Sequence, residues 1–377
     1  MTAAPTGPDT PSPARRRARI GRLMRGTWRL AVANLAVAAT FALTTAVLSL
    51  IVEDLLPQQP PAQLRPNRVA VLAGAVLLLL AAVWIRTLLH RYTGTLFYLR
   101  LLDDAMPDRH TAALAAAARN RMSLRPVTRW ADLHAHTRNG IIDLTEPCRQ
   151  IATGLETAVN TDRDDTGTTI AANLLWPAAL AVGAELPIVD DLRLLELDDT
   201  ELMFTLRPAQ PEPGIIGRES SPADQPQPGP TAGGPAHAGR VGLILAFGKA
   251  ATQASMQPAS VFAGLGVSEW HRLRPGALTD ISELETRRFT DDDLSAFARS
   301  LPAAVTDIKQ AAGTRELVIA AALPKTLALA LGWHLSQSPC RFFTGTHLLH
   351  HTGYGFTPMR THPAQPTEAP TDETPGP

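Results

Sequence analysis

The chain has 377 residues, 35 Lys and Arg against 35 Asp and Glu, and 45% hydrophobic residues. A formal net charge of zero excludes the electrostatic footprint of a duplex nucleic-acid binder. Two cysteines, Cys148 and Cys340, exclude a disulfide scaffold and a thiolate zinc site and fit a reducing cytoplasm.

Residues 1–28 are rich in proline and arginine, and read as a disordered basic cytoplasmic tail. Two uncharged apolar runs follow, Leu30 to Val52 and Val69 to Ile85, of 23 and 17 residues. A bilayer core about 30 Å thick needs roughly 20 apolar residues of helix. The spacing therefore predicts a two-span transmembrane hairpin over 29–91. Seven arginines precede the first run, and Arg86, Arg91 and Arg100 follow the second. By the positive-inside rule this predicts a multi-pass inner-membrane protein with its N-terminus and C-terminal domain both cytoplasmic. Thr40 and Thr44 lie one helical turn apart in the first run. They are read either as threonines satisfied by their own backbone or as a polar stripe. Residues 92–125 are expected to form a helical linker.

Beyond the linker, short apolar runs alternate with Ala/Leu-rich runs. Thr168 to Pro177 precedes Ala178–Leu186, and Glu316 to Pro324 precedes Lys325–Leu335. Ala181-Val-Gly-Ala-Glu-Leu186 matches Ala330-Leu-Gly-Trp-His-Leu335. A second apolar run follows each, Leu192–Leu197 and Cys340–Phe343. A parallel strand buried on both faces reads as a continuous apolar run and needs a crossover to its neighbour. The pattern predicts strand, helix, strand, twice. Val241–Phe247 is a further strand, and a long helix is expected over 291–312 with Thr290 as N-cap. Of 32 prolines, 17 fall in 1–19, 207–240 and 361–377, so the second and third stretches are expected as a disordered insertion and a disordered tail. The fold class is α/β: an N-terminal two-helix hairpin followed by two fused Rossmann-like halves.

The strand Leu317–Leu323 runs into Pro324-Lys-Thr-Leu-Ala328 and Leu331-Gly332. Arg341-Phe-Phe343 and Gly353-Tyr-Gly-Phe-Thr-Pro358 follow. This order resembles the SAVED domain, the cyclic-oligonucleotide sensor of bacterial anti-phage signalling (CBASS), over 126–360. The resemblance implies two fused CARF-like units and a cyclic di- or trinucleotide ligand made by a cognate nucleotidyltransferase. It further implies self-association into a homo-oligomer, and a hairpin that acts on the lipid bilayer to disrupt the inner membrane, an abortive-infection output. The alternative is a membrane-anchored α/β binding or scaffold module with a different small-molecule ligand.

Ligands of open α/β sheets sit at the carboxyl ends of strands, where helix N-termini offer free N–H groups to phosphate. That nominates Trp176, Pro177, Phe247, Gly248, Lys249, Thr252, Pro324, Lys325, Thr326, Thr344, Gly345 and Thr346. Lys249 and Lys325 are two of three lysines in the chain. His134-Ala-His136 and His347, His350, His351 lack a carboxylate pattern such as His-Glu-x-x-His and read as loop histidines. Asp291-Asp-Asp293 reads as a helix N-terminus complementing the macrodipole. No Walker, Gly-x-Gly-x-x-Gly or Gly-x-Ser-x-Gly motif is present. No catalytic residue, cofactor, metal or enzymatic activity is expected.

Overall fold

The computed structural model describes residues 38–42, 44–46, 49, 66–91, 94–102, 106–162, 167–187, 191–197, 201–221, 239–353 and 355–370. It divides into two compact units: 1–94 with 118–123, and 95–117 with 124–377.

In the first unit, the second apolar run is helical as expected: α1 spans Pro66–Arg91, with proline at its first turn, where a missing N–H costs nothing. The first run lies largely outside the described residues. Where it is described, Thr44 Oγ1 donates to the Thr40 carbonyl at 2.7 Å and Thr45 Oγ1 to that of Phe41 at 2.9 Å. These are threonines satisfied by their own backbone. Among the described residues no helix is long and apolar enough to cross a membrane. The expected multi-pass inner-membrane placement is thereby overturned.

The second unit is mixed α/β. The stretch expected as a helical linker instead opens a sheet: β1 spans Thr95–Leu102, and α2 (His110–Arg119) and β2 (Ser123–Trp130) follow. Leu96, Phe97, Tyr98 and Leu99 are all fully buried. Four consecutive buried residues need cover on both sheet faces, which an exposed linker helix does not provide. Then come β3 (Thr137–Arg138), β4 (Ile141–Asp143), α3 (Thr145–Asn160), β5 (Thr168–Asn173), α4 (Trp176–Ala184), β6 (Arg193–Leu197) and β7 (Glu201–Thr205). Among the described residues β2-β1-β5-β6-β7 form one sheet, with β1, β5 and β6 parallel.

The second sheet draws on both ends of the unit. Its later elements are β8 (Ile216–Ser220), β9 (Arg240–Ala246), α5 (Pro258–Val261), β10 (Val267–Pro275), α6 (Asp291–Ala312), β11 (Leu317–Ala322), α7 (Lys325–Ser336), β12 (Thr346–His351) and β13 (Phe356–Arg360). The order is β3-β4-β13-β12-β11-β9-β10-β8, with β12, β11, β9 and β10 parallel. Helix α6 has its expected bounds. Thr290 and Asp293 form a reciprocal capping box that satisfies its first N–H groups.

Three expectations are corrected here. The first part of the stretch expected as a disordered insertion is ordered. Glu212 pairs with Arg299 at 2.7 Å, and β8 pairs antiparallel with β10; residues 222–238 lie outside the described residues. Residues 361–370, expected as disordered, are folded against the body. Gln365 is buried, and its Oε1 accepts from the Thr361 N–H at 2.8 Å and the His362 N–H at 2.9 Å. One polar side chain thus satisfies donors that composition alone takes as solvated. The expected strand at Arg341–Phe343 is a turn, and the strand begins at Thr346.

Helices α4 and α7 each link two adjacent parallel strands, β5 to β6 and β11 to β12. Both are apolar over most of their surface, and α7 buries Thr326 and His334 as well, the pattern of a helix enclosed nearly all round. They pack on each other at the matched glycines. A Cβ on Gly183 would overlap the Leu329 carbonyl oxygen and lie 2.9 Å from its carbon. A Cβ on Gly332 would overlap the Leu180 oxygen and lie 2.9 Å from its carbon. Close helix approach therefore needs both glycines.

Gly183→Val or Gly332→Val forces the helix backbones apart in a packed core and is expected to cost about 3 kcal/mol or more, read as a lowered midpoint in urea. His334, buried on α7, has its Nε2 without a hydrogen-bond partner, and burial holds its pKa down to about 4 against an ordinary 6.5. The unfolded chain takes up this proton first, so stability is complete above pH 6.5 and declines as pH falls towards 4, by about 3 kcal/mol in all. His334→Leu should flatten that part of the stability–pH curve. An unchanged slope would assign the acid sensitivity to other groups.

Candidate functional site

The carboxyl ends of the parallel strands are where a ligand has access to helix N-termini. In the eight-stranded sheet Ala246 pairs with Ala322, and the Phe247 N–H donates to the Ala322 carbonyl at 2.9 Å. The turns after β9 and β11 are therefore neighbours. Gly248, Lys249 and Thr252 belong to one, and Pro324 and Lys325 to the other. Gly248 is a close approach, since a Cβ there would lie 3.2 Å from the Ala322 oxygen. Lys325 then reaches the other sheet: its Nζ donates to Asn173 Oδ1, at the end of β5, at 2.9 Å. Trp176, half-buried, opens α4 three residues later. The structure thus joins three strand ends, β5, β9 and β11, into one polar edge carrying Trp176, Gly248, Lys249, Thr252, Pro324 and Lys325. Lys249 is exposed, and the others are half-buried.

The remaining nominated residues do different work. Phe247 is fully buried, with its ring edge-on to Phe297 at 5.2 Å between centroids. Pro177 is buried, and its carbonyl accepts from Thr361 Oγ1 at 3.2 Å. Thr326 is fully buried. Its N–H and Oγ1 both donate to Glu196 Oε2, at 3.0 and 2.8 Å. The N-terminus of α7 already holds an anion, and that anion is the protein's own carboxylate. Thr344, Gly345 and Thr346 lie at the amino end of β12, because Thr346 is in register with Leu317, the first residue of β11. Buried Lys309 occupies that place, donating to the Thr344 carbonyl at 2.7 Å, the Gly345 carbonyl at 3.3 Å and Thr346 Oγ1 at 3.1 Å. Burial lowers the pKa of its amine.

Several residues of the edge were not nominated from the sequence. Asn173 Nδ2 donates to the Pro107 carbonyl at 3.0 Å, and Arg109 donates to the Leu197 carbonyl. The segment 107–109 is thereby tied to the ends of both β5 and β6. Arg100 pairs with Asp108 at 2.9 Å, while its Nε and His110 Nδ1 are buried without a hydrogen-bond partner. Burial, reinforced by the Asp108 charge, raises the pKa of the nearby Tyr98 hydroxyl. A sequence signal existed for Asn173 and for Glu196: the first closes and the second interrupts a run of buried strand residues, where an uncompensated polar group is costly.

Among the described residues no group of three or more His, Cys, Asp and Glu could hold a metal ion. His347 instead faces Glu316 at 3.3 Å, and His351 packs on Phe356. Asp291 accepts the Met203 N–H at 2.8 Å, and Asp293 caps α6.

No protein-family model and no curated protein matches the chain. Among solved structures, it is similar to the Acinetobacter baumannii Cap4 SAVED/CARF-domain containing receptor. With the cyclic trinucleotide 2'3'3'-cAAA, that structure matches at a TM-score of 0.42 and 10% identity, over 78% of this chain and 58% of the receptor. With 3'3'3'-cAAA the values are 0.40 and 11%, over 78% and 58%. The chain spans less than two thirds of that receptor's length.

Glu196→Ala strands two buried donors on Thr326. It is expected to cost about 1–3 kcal/mol, with Glu196→Gln, which keeps an acceptor, costing less. Differential scanning calorimetry checks this order; equal midpoints for the wild type and both variants would contradict it.

Proposed function

We propose that the second unit is a SAVED-like sensor that binds a cyclic di- or trinucleotide at the polar edge formed by the turns after β5, β9 and β11. The single observation that carries this reading is the Lys325–Asn173 bond across the two sheets. It places a cation and an amide where strands from both duplicated strand–helix–strand units end. A ring of two or three phosphates and bases needs cationic points separated by apolar or aromatic surface. Lys249, Lys325 and Trp176 supply these elements, and Gly248 lets the backbone come close. The ligand would be the product of a partner nucleotidyltransferase. Binding would promote self-association of the chain, with no catalytic step at this edge. The resemblance of Leu317–Pro358 to the SAVED domain supports the ligand class. A binding module for a different small molecule would use the same edge, and the ligand panel below separates the two.

Isothermal titration of the full chain with cyclic di- and trinucleotides and their linear forms tests the reading. One cyclic ligand is expected to bind and the linear form to be silent, and a ligand at about 100 times its Kd would add about 2.7 kcal/mol to stability. Lys325→Glu should weaken binding about tenfold or more, and light scattering should register a larger particle with ligand. Silence of every cyclic nucleotide with a folded chain would transfer the edge to another ligand.

A further inference from the structure

A second cluster lies on the eight-stranded sheet and takes no part in the edge above. Among the described residues strand β8 is the last of that sheet, and it pairs antiparallel with β10, with Ser220 directly opposite His271. Ser220 Oγ lies 2.9 Å from His271 Nδ1, and His271 Nε2 lies 3.0 Å from Glu269 Oε1. The other carboxylate oxygen of Glu269 is held by Arg315 at 2.9 Å. Glu269 accepts only, so the shared imidazole proton sits on Nε2. Nδ1 is left as the acceptor for the serine hydroxyl. His271 is 5% exposed, whereas Ser220 is open to solvent. The base is desolvated and the nucleophile is accessible. Arg218, two residues before Ser220, has one guanidinium nitrogen 3.3 Å from His271 Nδ1 and 3.4 Å from Nε2, so its charge lies against the imidazole ring. Together with burial, that charge lowers the pKa of His271 and keeps the imidazole neutral, the form in which it accepts a proton.

We propose that Ser220, His271 and Glu269 form a nucleophilic triad that cleaves carboxylic esters. The roles are those of the serine–histidine–acid template with the two imidazole nitrogens exchanged. Ser220 Oγ attacks the acyl carbon as His271 Nδ1 takes its proton. The carbon–oxygen bond to the leaving alcohol breaks, and the alkoxide receives that proton from the imidazolium. Water then gives a proton to Nδ1 as its oxygen bonds to the acyl carbon; the Ser220 Oγ–acyl bond breaks, Oγ takes the proton back from the imidazolium, and the carboxylic acid leaves. Ser220 and His271 are catalytic residues. Glu269 is a positioning residue that fixes the tautomer. The competing account is a cross-strand hydrogen bond that only fastens an edge strand.

The test uses the full chain with a fluorophosphonate probe, peptide mass spectrometry, and p-nitrophenyl acetate as substrate. The probe mass is expected on Ser220, and ester turnover is expected to vanish in Ser220→Ala, an exposed position, with its folding checked by circular dichroism. His271→Gln should slow labelling about 100-fold or more. Glu269→Gln should lower kcat with KM unchanged, and Glu269→Asp should restore part of it. An unlabelled Ser220 in the folded wild type would overturn the proposal. So would undiminished turnover in Ser220→Ala, or equal labelling in a folded His271→Gln variant. If His271→Gln does not fold, the Ser220→Ala turnover decides.

Discussion

The contact on which the second unit depends is the crossing of α4 and α7 at Gly183 and Gly332. Each glycine faces a backbone carbonyl of the other helix, that of Leu329 or Leu180. At this separation there is no room for side chains, so two largely apolar helices bury each other. The parallel strands they connect are brought together with them. Each helix N-terminus then meets the opposite sheet: Lys325 and Thr326 of α7 reach Asn173 and Glu196, and the Pro177 carbonyl of α4 accepts from Thr361 beyond β13. The two related units are assembled by a reciprocal exchange of helix ends, and the polar edge is a consequence of that exchange.

The electrostatics of the edge follow from which helix end is already occupied. Glu196 holds the buried donors of Thr326, so the anion-binding capacity of α7 is used internally. On the proposed reading a ligand would meet the Lys325 ammonium beside Asn173, the exposed Lys249 and the tight turn at Gly248. Lys309 does the corresponding internal work at the opposite end of the sheet, where its buried amine fastens the turn before β12. Of three lysines in the chain, one is structural and two stand at neighbouring strand ends.

The duplication was legible because buried parallel strands and apolar crossover helices leave long uncharged runs that few other structures require. Thr168–Asn173, Arg240–Ala246 and Leu317–Ala322 were found in this way, as was α6 through its Thr290 cap. The first strand was not. Thr95–Leu102 continues an apolar, basic flank, and nothing local separates it from a helical linker. The docked segment 361–370 was missed for a related reason, since its composition is that of a solvated tail until Gln365 finds Thr361 and His362. Of the residues nominated from turn chemistry, Gly248, Lys249 and Lys325 stand at neighbouring strand ends, whereas Phe247, Pro177 and Thr326 are buried, and burial is invisible to a turn motif.

The sequence by itself determined the class of the fold, the repeated strand–helix–strand unit and the glycines at its centre, because periodicity and backbone access are local properties. Only the tertiary structure decided that Lys325 meets Asn173 and Thr326 meets Glu196, pairs separated by more than a hundred residues. It also decided that Thr344–Thr346 stand at the wrong end of the sheet for the edge. Register and strand order set these outcomes, and both are fixed by packing between segments that no local pattern connects.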